Sequence, residues 1–110
     1  MFYCFSQNNS GGGFDIDDNV AHFVIIEADS AFAANDRAES IGIYFDGCET
    51  GNDCPCCGDR WTDKWSDDSG DEAPVIYGTP VAEHKNMWVD QGKPYAYVYY
   101  ADGRKETFRS

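Results

Sequence analysis

Positive charge is what this 110-residue chain has least of: eight Lys and Arg stand against twenty Asp and Glu, a formal net charge of −12. A surface of that sign repels phosphates, which excludes ordinary binding of DNA or RNA. Long apolar runs are missing too, and without about 18 consecutive apolar residues there is no membrane-spanning helix. The opening Met-Phe-Tyr-Cys-Phe-Ser-Gln-Asn-Asn lacks the basic start and apolar stretch of a secretory signal, so a cytoplasmic, reducing location is expected. Histidine is nearly absent, with His22 and His84 alone, and no serine-nucleophile motif or internal repeat occurs.

What is present is a foldable domain. Hydrophobic residues make up 42% and aromatics 15%, enough for one modest core in a single domain spanning 1–110. Phe2 to Ser6 reads as a first strand, and the Gly11–Gly13 run as a loop. Val20 to Ala28 is apolar on both faces and β-branched, which predicts a central strand covered on both sides. Asp29 or Ser30 can cap a helix to about Ile41, with Gly42 as its stop. Ala31, Ala34, Ala38 and Ile41 then share the packed face, with Phe32 beside them, while Asn35, Asp36, Arg37 and Glu39 are expected in solvent.

Thr62 to Glu72 has no periodicity and reads as a loop. Val75–Tyr77 predicts a strand before a Gly78-Thr-Pro80 turn. Tyr95–Tyr100 predicts another, and Asp102-Gly103 returns the chain through Lys105–Arg109 as a hairpin. With a two-residue loop, Tyr97 would face Phe108 and Tyr99 would face Glu106. The expected fold is therefore α+β: an antiparallel or mixed sheet of four to five strands, one packed helix, and an acidic cysteine-rich insertion over 46–72.

That insertion holds four of the five cysteines within ten residues, from Cys48 to Cys57. An odd number of thiols in a reducing compartment argues against a disulfide framework. Cys54-Pro-x-Cys57-Gly has the form of a zinc knuckle, two thiolates three positions apart in a tight turn. Cys48 is the expected third ligand, and Cys56, His84 or Cys4 the fourth, although adjacent cysteines diverge too much to favour Cys56. Four protein ligands leave no open position, so the expected Zn2+ is structural and staples the polar loop. A redox reading of Cys54-x-x-Cys57 fails, because that motif opens a helix whereas Gly58 follows here. A metal-dependent hydrolase built on Asp53, Asp59 and His84 is a further reading, and needs an open coordination site.

The acids are uneven: residues 1–45 carry a net −6, 46–72 a net −7, and 73–110 a net +1. They either keep a small protein soluble or face a basic groove on a partner. Trp61, Trp65 and Trp88 are large rings among polar neighbours; Trp61 is expected to pack the cysteine loop on the sheet. An exposed Trp ringed by charge suits an interface anchor. The expected contact set is Asp63, Trp65, Asp67, Asp68, Asp71 and Glu72.

The N-terminal Met-Phe-Tyr-Cys-Phe-Ser-Gln-Asn-Asn-Ser-Gly-Gly-Gly, the Val-Ile-Ile-Glu-Ala strand, Ile-Gly-Ile-Tyr-Phe-Asp-Gly and Cys-x-Cys-Cys-Gly-Asp-Arg-Trp together resemble a group of small uncharacterised tailed-phage proteins. That resemblance implies the bacterial host cytoplasm during infection, and supplies no site residues. The leading expectation is a non-enzymatic, zinc-stapled interaction protein that inhibits a host or phage protein with a basic surface, by nucleic-acid mimicry in host takeover or anti-defence. The alternative is a small-ligand module, such as a nucleotide sponge, with the aromatics and Gly11–Gly13 as its pocket.

Overall fold

Apolar on both faces and β-branched at its centre, Phe23–Glu27 can be buried only between two layers. In the computed structural model, which describes residues 1–8, 14–53, 58–84 and 92–109, it is a middle strand covered on both sides. The chain runs β1 (Phe2–Ser6), β2 (Phe23–Glu27), α1 (Ala31–Ser40), the single turn α2 (Gly47–Thr50), β3 (Val75–Ile76), β4 (Thr79–Pro80), a 3-10 turn (Val81–Glu83), β5 (Pro94–Tyr99) and β6 (Lys105–Arg109). Four strands form a mixed sheet in the order β1-β2-β5-β6, antiparallel except for the parallel β2–β5 pair.

Strand alternation sends Tyr3, Phe5, Val24, Ile26, Tyr97 and Tyr99 to one face, where they pack with Ala31, Ala34 and Ala38 of α1, Ile43 and Trp61. Phe23, Ile25, Ala96 and Val98 point to the other, against Ile76 and Val81, so the short β3–β4 hairpin and the 3-10 turn close that side. The α+β class and the doubly covered strand are as the sequence predicts, although β2 itself is five residues.

Ser30 caps α1 by accepting a hydrogen bond from the Ala33 amide at 3.1 Å, and Gly42 follows the helix with a φ of 106°. Several expectations need correction. Asn35 is buried rather than solvated: its Nδ2 donates to the Lys64 carbonyl and its Oδ1 accepts from the Lys64 amide, both at 2.8 Å. A carboxamide carries both a donor and an acceptor and so satisfies the N–H and the C=O of one residue, which repays its burial. The β5–β6 register is also shifted by one, with Tyr99 opposite Lys105 and Tyr97 opposite Thr107. The Gly103 amide bonds the Tyr100 carbonyl at 3.1 Å and the Tyr100 amide bonds the Arg104 carbonyl at 2.9 Å, so the loop has three residues. Gly103, with φ 94°, supplies the left-handed residue such a loop requires.

The other hairpin turns at Tyr77-Gly78 (φ 51° and 81°), one step earlier than the expected Gly78–Pro80 turn. Between the two layers, residues 60–71 pass along the outer edge of β1. The Asn8 amide bonds the Arg60 carbonyl at 2.8 Å, and Phe2 and Asp71 exchange both main-chain bonds at 2.7 and 2.8 Å. The stretch between these pins swings outward onto α1, where Asn35 holds Lys64.

Candidate functional site

The cysteine loop stands on a buried carboxylate. Asp53 has no exposed side-chain surface; its Oδ1 accepts from the Tyr44 hydroxyl at 2.9 Å and its Oδ2 from the Arg60 amide at 2.8 Å. The Arg60 guanidinium lies 3.7 Å from Asp53 Oδ1 and 3.3 Å from Asp15 Oδ2, and donates to Gln7 Oε1 at 2.8 Å. Gln7 is spent within the fold: it donates to the Asp15 and Ala21 carbonyls, each at 2.9 Å, and accepts from the Asp15 amide. Gly47 leaves room for Asp53, since a Cβ there would lie 1.9 Å from Asp53 Oδ2. This network joins the two ends of the segment that carries Cys54, Cys56 and Cys57.

Those three cysteines lie outside the described residues, as do Trp88 and the Gly11–Gly13 loop. Cys48 is half-buried, and its amide donates to Asp59 Oδ1 at 3.0 Å, which sets it beside the far end of the knuckle segment. Hydrogen bonds from the Cys48 backbone and side chain hold the Asp59 carboxyl below the usual carboxylate range.

His84 sits elsewhere, its ring edge-on to Phe23 at 5.4 Å and near Tyr95 at 6.1 Å, on the β3–β4 side of the sheet. Cys4 faces that side too, and burial pushes its thiol up to about 11. Among the described residues, no three His, Cys, Asp or Glu side chains gather as a metal group. Asp53, Asp59 and His84 are not brought together: Asp53 serves the loop base while His84 lies across the sheet.

The expected contact residues do share one region. Asp63, Trp65, Asp67, Asp68, Asp71 and Glu72 are all exposed, Trp65 by 71%, on the strap between Trp61 and Pro74. Trp61 by contrast is buried in the core, as expected of the ring that packs this loop on the sheet. The Asp68 amide donates to the Trp65 carbonyl at 3.0 Å, a turn that leaves the indole outside. Asp63, Lys64, Trp65, Asp67 and Asp68 line a shallow, open depression of about 370 Å³. A deeper groove of about 400 Å³ adjoins it, between the β1 edge and the β3–β4 hairpin. Tyr77, 82% exposed, stands on that groove's rim, with its hydroxyl 3.4 Å from Ser6 Oγ.

Sequence reasoning missed Gln7, Tyr44, Asn35 and the structural use of Asp53. Each is a polar residue whose partner lies far along the chain or in an aperiodic segment, so spacing carries no signal of it. No helix among the described residues is long and apolar enough to cross a membrane. Neither curated proteins nor solved structures give a match to the chain. A family model described as a domain of unknown function, DUF7296, matches residues 1–110, and the chain belongs to that family.

Proposed function

We propose that this chain is a small acidic interaction protein of phage type, acting in the bacterial cytoplasm by binding and inhibiting a host protein with a basic surface. The observation that supports this is the strap: it carries five exposed carboxylates, Asp63, Asp67, Asp68, Asp71 and Glu72, of which the first three share a depression with the exposed Trp65. The strap is pinned by Asn35 at Lys64 and by Phe2 at Asp71. A charged surface held in place before contact loses less entropy on binding, and complementary charge speeds encounter. The indole supplies a desolvated anchor among the carboxylates, which occupy a basic groove as DNA phosphates would.

The cysteine loop is stapled by a structural zinc in this reading, with Cys48, Cys54 and Cys57 as ligands. The placement of Cys48 beside Asp59 supports its membership, and the position of His84 across the sheet argues against His84 as the fourth ligand. Bound metal would tie together the thiolates of a segment whose ends Asp53 and Arg60 already join. Metal analysis of purified protein is expected to return one zinc per chain, and chelation to lower the melting temperature. A metal-free protein with unchanged stability removes the staple.

Affinity capture of the tagged chain from nuclease-treated bacterial lysate tests the function. One stoichiometric protein partner that elutes as salt rises supports the acidic decoy. No partner at either low or high salt overturns it.

A further inference from the structure

Among the described residues the β1 edge is open over part of its length, and what surrounds the opening defines an occupant. Met1 and Ala28 exchange main-chain bonds with each other, and Gln7 donates to the His22 carbonyl, so odd-numbered residues of β1 face β2. By alternation, Phe2, Cys4 and Ser6 turn their amides and carbonyls outward. Phe2 uses both on Asp71, whereas Cys4 and Ser6 have no main-chain partner there among the described residues. The covering chain pins itself at Asn8–Arg60 and Phe2–Asp71 and swings outward between them, leaving a window over Cys4 and Ser6.

Sheet edges are commonly defended by charge, as on β6, where Lys105, Glu106 and Arg109 are exposed. β1 carries no charged side chain. Its window opens into the 400 Å³ groove, whose walls include Asp63 and Asp71, with Tyr77 at the rim. Lys64 also lines the groove, but its ammonium sits over the Phe5 ring at 5.2 Å.

We infer that the β1 edge at Cys4 and Ser6 receives a short, extended, basic segment of the partner protein, which adds as a strand in the groove beside Asp63 and Asp71. Main-chain pairing fixes such a segment irrespective of its sequence, and side chains that reach the walls select it. Carboxylates at Asp63 and Asp71 favour Arg or Lys there, and the Tyr77 ring offers a face to a cation. A second copy of this chain brings its own carboxylates to the same walls, so charge disfavours pairing between copies. The inference rests on the acidic-decoy reading and names how the partner is held.

The test uses the full chain and a fluorescein-labelled peptide of alternating sequence, Arg-Val-Arg-Val-Arg-Val-amide. Ser6→Pro deletes an outward amide and leaves the β1–β2 ladder intact, and proline is tolerated on an edge. Ser6→Ala deletes only the hydroxyl. The wild type is expected to bind the peptide and to protect the Cys4 and Ser6 amides from hydrogen exchange. Ser6→Pro is expected to weaken binding at least tenfold, and Ser6→Ala by less than twofold. Equal binding by Ser6→Pro, or absence of amide protection in the wild type, overturns the inference. A wild-type dimer that Ser6→Pro dissociates also overturns it, in favour of a second copy. A captured protein partner that Ser6→Pro retains, and that neutralising the strap releases, removes the edge from the account while the proposed function stands.

Discussion

At Asp53 a carboxylate with no exposed surface is made tolerable by the Tyr44 hydroxyl, the Arg60 amide and the nearby guanidinium. Removing the carboxylate strands the Tyr44 hydroxyl and the Arg60 amide and leaves the guanidinium with Asp15 as its one carboxylate among the described residues, so Asp53→Ala should cost about 3 kcal/mol. Gly47→Ala, whose Cβ collides with that carboxylate, should cost roughly 2 kcal/mol through forced displacement. Urea unfolding followed by tryptophan fluorescence measures both. At high pH, burial raises Tyr99 to about 12 and Cys4 to about 11, against ordinary values of 10.0 and 9.0. The unfolded chain therefore loses these protons first. Stability from both groups is intact below pH 9 and falls as pH climbs from 9 to 12, and Tyr99→Phe should flatten the upper part of that fall. Asp53 was legible as an acid in the cysteine insertion, but its burial was not, because nothing in local spacing distinguishes it from exposed Asp63.

Among the elements, those with strong local signals were read from sequence nearly to the residue. β1 follows from its aromatic run, and α1 from a serine cap, an alanine stripe and a glycine stop. Loss of the cap in Ser30→Ala should cost about 1 kcal/mol in the same unfolding assay. The β5–β6 register escaped because a single extra loop residue, decided by the conformation of Gly103, slides the strands by one. The docking of the strap on α1 escaped for a different reason. It depends on one carboxamide and the two main-chain groups of one residue, and leaves no periodic trace in residues 62–70. Asn35→Ala strands both Lys64 main-chain groups and should cost about 2 kcal/mol. It should also weaken partner binding, since the strap then loses the pin nearest Trp65.

Across the whole molecule, residues 46–72 carry a net −7 and the longer stretch 1–45 a net −6, so the acids are densest along the cysteine-rich insertion. The sheet and α1 form a platform, and the acids of 63–72 ride on a strap tied to it at Lys64 and Asp71. A purely solubilising role has no need of such pins, whereas a binding role gains preorganisation from them. The most direct test is the dissociation constant of the captured partner as a function of salt. It should be measured for the wild type and for the variant in which Asp63, Asp67, Asp68, Asp71 and Glu72 become amides. The account predicts that wild-type affinity falls steeply as salt rises, and that the variant binds at least tenfold more weakly at low salt with a flattened salt response. Salt-insensitive wild-type binding, or a variant that binds as the wild type does, would contradict it.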